Sequence, residues 1–292
     1  MVMKQFKLYI IVTTIAIGLF SCTERSEPIE VTTDHFHSVI DEVVEVMIHD
    51  IFSPPVASRV FAYPNMAAYE ILAQTDTTYF SLKNQIKHLG AIPSPDESKR
   101  INYPLAALIA HIHLSKQLIF SEAKIETHRD SLYNVWEAKN PKEFKESKAY
   151  GLEVAAYISD WMNKDNYAQT RTMPKFSVDS EDEGRWQPTP PSYMDGLEPH
   201  WNKIRSFVLD SAAQFKPVPP PKFSMNKNSD FYKELKEVYD VSLEITKKGD
   251  ASEEIAIAQF WDCNPYVSVT RGHLMFAVKK ITPGAHWIGI TK

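Results

Sequence analysis

The chain has 292 residues, 43% of them hydrophobic, a formal net charge of −5 and a pI near 6.1. That is enough apolar material for one large core or two smaller ones. An acidic balance gives no reason to expect nucleic acid, which demands a basic face, and with only 9 glycines the chain carries neither GxGxxG nor GxxxxGK[ST] nor GxSxG.

The first residues read as an address. Lys4 and Lys7 form a positive start and Leu8 to Phe20 a short apolar core, too brief for a membrane span. Leu19-Phe20-Ser21-Cys22 resembles a bacterial lipobox, so residues 1–21 are expected to be removed and Cys22 to carry lipid. The membrane is the partner this implies, and Thr23 after the cysteine favours the outer one; the expected location is the bacterial envelope, periplasmic or outer-membrane. Residues 22–32 read as a tether before a body spanning 33–292. Cys263, the one cysteine left in that body, cannot form an intrachain disulfide and reads as a small buried hydrophobe.

Along the body, apolar residues recur at helical spacing. Helices are expected over 35–52 (Val39, Val43, Val46, Met47) and 55–73, with Pro64 as a kink or restart, and over 103–120 (Leu105, Leu108, Ile109, Ile112). Two more stripes run through Ile125, Leu132, Val135 and Trp136, ended by Asn140-Pro141, and through Tyr150, Val154, Tyr157, Ile158 and Trp161. Between Pro174 and Pro221 fall nine of the 19 prolines, which rules out one continuous helix. Trp186, Tyr193 and Trp201 argue against a solvated linker there. Residues 165–228 are therefore expected to form an ordered strap across the helical body, interrupted by a short helix around Ile204, Phe207 and Val208. Ser229-Asp230 opens another helix that stops at Lys247-Lys248-Gly249, and Asp250-Ala251-Ser252-Glu253 resembles a capping box before Ile255 to Trp261. No alternating strand stands out, and the expected class is all-α.

Candidate chemistry is sparse. His111-Ile112-His113 on a helix points two imidazoles roughly 200° apart; His35-Phe36-His37 could share an ion only if extended, and there is no HExxH. Arg171, Arg185 and Arg205 could gather an anion, since guanidinium forks match phosphate, or could pair with Asp179, Glu181, Asp182 and Glu183. No residue is assigned as a catalytic, cofactor or metal ligand.

Several stretches together resemble bacterial lipoproteins related to vanadium-dependent haloperoxidases, in the type 2 phosphatidic acid phosphatase superfamily. They are Ser53-Pro54-Pro55-Val56-Ala57-Ser58-Arg59 with Ala68-Tyr69-Glu70, Gly184 to Pro191, Pro199-His200-Trp201, and Gln214-Phe215 with Pro219-Pro220-Pro221. Ala256 to Trp261 and Pro283-Gly284-Ala285-His286-Trp287 complete the set. The resemblance implies the first half of a two-bundle helical fold whose members use vanadate to oxidise halides with peroxide, or hydrolyse phosphate esters. It also implies an anion pocket built from KxxxxxxRP, SGH and RxxxxxH segments, and this chain contains no Arg-Pro and no Ser-Gly-His. Arg271-Gly272-His273 lacks the serine and the upstream segment. Vanadate is thus implied by the family while its ligands are not in the chain, and the expectation is a fragment, shortened product or degenerate relative that stops before the catalytic half.

The rival reading is a complete, non-catalytic helical lipoprotein that binds a partner or a small ligand. A third is an enzyme with a new site around Arg185, His200 and His286. Trp287, Ile288 and Ile290 near the end of the sequence lead to a further expectation: an exposed apolar C-terminal face, self-association through it, and an irregular last ten residues.

Overall fold

The structure is a computed structural model that describes residues 26–190, 193–249, 252–262, 266–271, 274–279 and 283–291, with the side chains of 266–271, 274–279 and Pro283 left aside. The signal segment, Cys22, Cys263, Asp250, Ala251 and the Gly272-His273 pair lie outside the described residues.

Five long helices form the body: α1 (Thr33–His49), α2 (Pro54–Leu72), α3 (Tyr103–Gln117), α4 (Glu122–Lys139) and α5 (Pro141–Met162). Their starts are written in the sequence. Pro54 and Pro104 occupy first turns, where the missing N–H costs nothing. The Asn102 side chain accepts from Leu105 N at 3.1 Å, and that of Asn140 accepts from Glu143 N at 3.1 Å. Asp50 reaches across to the start of α4, where Oδ2 accepts from the N–H groups of Phe120 and Ser121, both at 2.9 Å. Burial pushes the Asp50 carboxyl up, but these bonds and those from the Ser121 and His49 side chains outweigh it and hold it below its ordinary value.

Helix α3 is the axis of the fold, buried nearly all round. One side, with Leu105, Leu108, Ile109 and Ile112, joins a core shared with α1, Val56 and Val60 of α2, and Ile125 and Trp136 of α4. The other side presents Ala106, Ala107, Ala110 and Leu114 to Ala67, Ala68 and Ile71 of α2 and to Val154, Ala155 and Ile158 of α5. Small residues on that second side let backbones approach closely: a Cβ added at Gly151 of α5 would sit 2.5 Å from the carbonyl oxygen of Ala106.

Three expectations about the helices change. Helix α2 runs through Pro64 without restarting. Pro64 and its neighbours Tyr63, Met66, Ala67 and Ala68 are buried, so packing holds the helix across the missing bond. Helix α3 ends at Gln117, short of Phe120, whose exposed ring stacks on Phe52 at 5.0 Å. Val135 of α4 points to solvent although it lies on the expected stripe.

After α5 comes one turn, α6 (Tyr167–Thr170), and then irregular chain with a single 3-10 turn at Trp201–Lys203. The short helix expected around Ile204, Phe207 and Val208 is not formed. Instead Phe207 leaves the backbone in irregular chain and wedges onto Tyr63 and Trp161, with ring centroids 5.7 and 6.0 Å away. Trp201 packs on Tyr167, whereas Trp186 meets Phe176 and stays half exposed, and Tyr193 is exposed. Among the described residues, the strap lies on the body at its start, Asp165–Arg171, and at a middle segment from Trp201 to Asp210, where Lys87 N donates to Phe207 O at 2.8 Å and Lys87 Nζ to Asp210 O at 2.8 Å.

Helix α7 (Asp230–Lys248) starts at Ser229, whose Oγ accepts from Tyr232 N at 3.2 Å, and stops at Gly249, where φ is +62°. Helix α8 (Glu253–Trp261) starts at Ser252, whose Oγ accepts from Ile255 N at 3.4 Å. An antiparallel hairpin follows, β1 (Tyr266–Arg271) with β2 (Leu274–Lys279), in the register Tyr266↔Lys279 to Arg271↔Leu274. The strand pair departs from the purely helical expectation; β-branched Val267, Val269, Thr270 and Val278 favour it. The class remains helical.

The final element, α9 (Pro283–Thr291), replaces the irregular tail that was expected. It docks on α1: Ala285 is buried and His37 Nε2 lies 2.8 Å from Gly289 O. Burial of Ala285 against the core, with Ile288 packed beside it and Gly289 O held near His37, is what makes so short a helix hold. None of the described helices is long and apolar enough to cross a membrane.

Candidate functional site

The densest set of charged and aromatic groups lies where α2, the end of α5 and the strap meet. Asn166, at φ +75°, breaks the chain away from α5 and turns Asp165 inward. Asp165 Oδ2 accepts from Tyr63 Oη at 2.6 Å and from Arg59 at 2.9 Å (Nε) and 2.8 Å (Nη2). Its Oδ1 accepts from Tyr167 N at 2.8 Å, a turn typical of aspartate. The two charged side chains are buried, 1% exposed for Asp165 and 10% for Arg59. Burial, and then the bond to Asp165, raise the Tyr63 hydroxyl well above the usual phenol range, so it remains a donor.

Aromatic rings close the cluster. The Arg59 guanidinium lies 4.1 Å from the centroid of Tyr167, with Arg171 4.5 Å away from the same ring. Arg171 forms a forked pair with Glu198, which raises it further above its already high value. Arg205 stacks 4.1 Å over Trp161 and donates Nη1 to Trp161 O at 3.1 Å. Its backbone N–H donates to Asp165 O at 2.8 Å, while its Nε and Nη2 are buried without a hydrogen-bond partner.

Chemically this is a clamp. Asp165 is engaged through both oxygens, Oδ2 by Tyr63 and Arg59 and Oδ1 by the Tyr167 N–H, so its role here is to hold α2, α5 and the strap together. Arg59 is neutralised by Asp165 and Arg171 by Glu198. That leaves Arg205, a single guanidinium under an indole, where oxyanion binding needs several convergent donors.

The three arginines singled out in the sequence do not converge. Arg185 lies on the outer strap, 3.7 Å from Asp179, one of the acids expected to pair with it. His200 Nε2 is 2.7 Å from Pro174 O, holding one side of the strap to the other. His286 sits on α9 beside Trp287 and lines a groove with His37, Asp41 and Ile290. Arg185, His200 and His286 thus serve three separate places, and the new site imagined around them is not assembled. His111 and His113 take separate neighbours, Ser115 and Gln117. Among the described residues no three His, Cys, Asp or Glu side chains gather as a metal would need.

A serine–histidine–aspartate trio does occur, and its geometry rejects nucleophilic catalysis. Ser121 Oγ donates to Asp50 Oδ1 at 2.5 Å and lies 3.1 Å from His49 Nδ1, while that same Nδ1 is 3.0 Å from Asp50 Oδ1. A relay needs the acid on one ring nitrogen and the nucleophile on the other. Here all three meet at Nδ1, and Asp50 is already the cap of α4.

No protein-family model matches the chain, and no curated protein matches it. A solved structure does: a bacterial vanadium-dependent iodoperoxidase, with a TM-score of 0.83 and 67% sequence identity over 92% of this chain. The chain is a vanadium haloperoxidase-like protein. It spans 62% of the iodoperoxidase chain, so more than a third of that protein has no counterpart in these 292 residues. The helical body agrees with that neighbour, and the resemblance drawn from Ser53 to Trp287 is the one the fold bears out. Asp165 was missed by the sequence reading; the only hint was the polar run Asn163 to Asn166 at the end of an apolar stripe.

Proposed function

We propose that this chain is the helical framework of a vanadium-dependent haloperoxidase-like lipoprotein, anchored through lipid on Cys22, and that it does not by itself bind vanadate or turn over substrate. The observation that carries the reading is the fate of the cations. In a chain this similar to an iodoperoxidase, Arg59, Arg171 and Arg185 are each matched to a carboxylate, and Arg205 is pinned to Trp161. Among the described residues, the arginines of this cluster therefore do not fit a vanadate ion, and no step is derived through it. The sequence adds that the Arg-Pro and Ser-Gly-His segments of the family's pocket are missing.

The direct test is to give residues 23–292 vanadate, iodide and peroxide, and separately a phosphate ester. Neither halide oxidation nor ester hydrolysis is expected above the protein-free rate. Vanadate binding by isothermal calorimetry that disappears in Arg205→Ala would overturn the reading. Anchoring is tested apart from activity: Cys22→Ser should move the protein from the membrane fraction to the soluble one, because two acyl chains make residence stable. Equal membrane retention by the variant would remove the lipid anchor from the proposal.

A further inference from the structure

The chain enters its helical body under restraint. Ile29 is buried; its N–H donates to Glu143 Oε2 at 2.8 Å and its carbonyl oxygen accepts from Asn102 Nδ2 at 2.7 Å. Glu27 O accepts from Asn140 Nδ2 at 3.2 Å, and Val31 packs on the same core. One carboxylate gathers this junction, since Glu143 also accepts from Asn140 Nδ2 at 3.1 Å and, through Oε1, from Asn102 Nδ2 at 3.2 Å. Asn102 precedes α3, Asn140 joins α4 to α5, and Glu143 lies in the first turn of α5. Residues 27–31 are thus fastened to one end of the body, which Ser147 Oγ closes by accepting from Asn102 N at 2.9 Å.

Five residue steps separate Cys22 from Glu27, a reach of at most about 18 Å. Helix α5 leads from this junction to the Asp165 clamp, and its 22 residues span roughly 30 Å. A membrane-held Cys22 keeps the junction within the shorter reach of the headgroups, whereas the clamp lies a helix length further on. We propose that the end of the body formed by the start of α3, the α4–α5 junction and residues 27–31 is the face turned to the phospholipid bilayer, with the clamp and its strap turned away. The proposal rests on the lipid anchor at Cys22, and it names the surface that the anchor holds down. Arg100, Lys139 and Lys142 are exposed at this end, Lys142 with 83% of its side chain. A recess lined by Ser26, Arg100 and Lys142 opens beside the leash, where a headgroup phosphate can meet the cations. Glu146 is drawn inward, its Oε2 accepting from Arg100 N at 3.1 Å. Exposed Asp96, Glu97 and Glu137 flank these cations in the chain. Mixed charge of this kind suits zwitterionic headgroups and demands no anionic lipid; the acyl chains supply the affinity and the short leash sets the orientation.

The test uses the full chain, lipidated and reconstituted into vesicles of phosphatidylethanolamine and phosphatidylglycerol with a nitroxide on the headgroups. A fluorophore is attached at Ala138→Cys, exposed in the last turn of α4, or at Lys164→Cys, exposed just past α5, each with Cys263→Ala. Both should float with the vesicles, with quenching about fivefold stronger at 138 than at 164. Inserting about eight Gly/Ser residues after Arg25 lengthens the leash without touching the body, and should leave flotation intact while bringing the two positions within about twofold of each other. Equal quenching at 138 and 164 on the native leash overturns the proposal, as does a difference that the insertion leaves unchanged. Failure to float removes the Cys22 anchor and this proposal with it, so flotation alone tells the two failures apart.

Discussion

Replacing Asp165 by alanine will cost about 3–5 kcal/mol of folding stability, the range for removing one partner of a buried ion pair. The size follows from what is left behind. Arg59, 10% exposed, would keep its charge with only the faces of Tyr63 and Tyr167 around it. The Tyr63 hydroxyl and the Tyr167 N–H would lose their acceptors in the same stroke. A domain of this kind has only about 5–15 kcal/mol in total, so the variant should unfold at markedly lower urea and at lower temperature. Asp165→Asn separates charge from hydrogen bonding, because its amide oxygen can still accept from Tyr167 N while Arg59 goes uncompensated; its loss should fall between wild type and alanine. The strap should loosen too, seen as faster proteolysis between Arg171 and His200. Wild-type stability in Asp165→Ala would mean that the pair contributes nothing net and that the strap is held by its other contacts, Phe207, Trp201 and Arg205 among them.

The outcome also measures how the body and the strap are joined, the part of the molecule least legible in the sequence. Several helix boundaries were readable because they depend on local signals: the stop at Asn140-Pro141, the start at Ser229 and the glycine at 249; the cap at Asn102 and the proline at 104 carry the same kind of signal and were not read. Apolar spacing then identified the buried sides of α1, α3 and α5. Pro64 misled because tertiary packing overrides a local breaker, and Val135 because periodicity locates a stripe without saying how wide the buried part is. The clamp joins Arg59 to Asp165, 106 positions apart in the chain, and no local rule reports such a pairing. Conversely, residues with conspicuous chemistry, such as Arg185 and His200, proved to be holding the strap to itself. The apolar stripe of α7 shows in the sequence as helix amphipathicity, but that none of its residues is buried is a property of the fold alone.

Gly151→Ala is expected to destabilise the body by about 2–3 kcal/mol, although alanine is the better helix former, because overpacking outweighs propensity. In an exposed helix the change would stabilise by about 0.5–1 kcal/mol. In α5 the new methyl carbon would stand 2.5 Å from Ala106 O and 3.2 Å from Ala106 C and Cα. Those are backbone atoms of α3, the helix buried on nearly every side, and they cannot swing away as a side chain tip would. Relief requires α3 and α5 to separate, which would open the core formed by Leu114, Val154, Ala155 and Ile158. Since the obstacle is a carbonyl group, Ala106→Gly should give no rescue when combined with Gly151→Ala. Gly90 provides the contrast: its added methyl would meet the Tyr157 hydroxyl at 2.8 Å, the far end of a half-buried side chain, where a small shift of the tip relieves the contact. Gly90→Ala should therefore change stability by less than about 1 kcal/mol. Urea denaturation of the three variants decides the matter; equal effects at Gly151 and Gly90, or rescue by Ala106→Gly, would show that α3 and α5 are not held at the distance the fold requires.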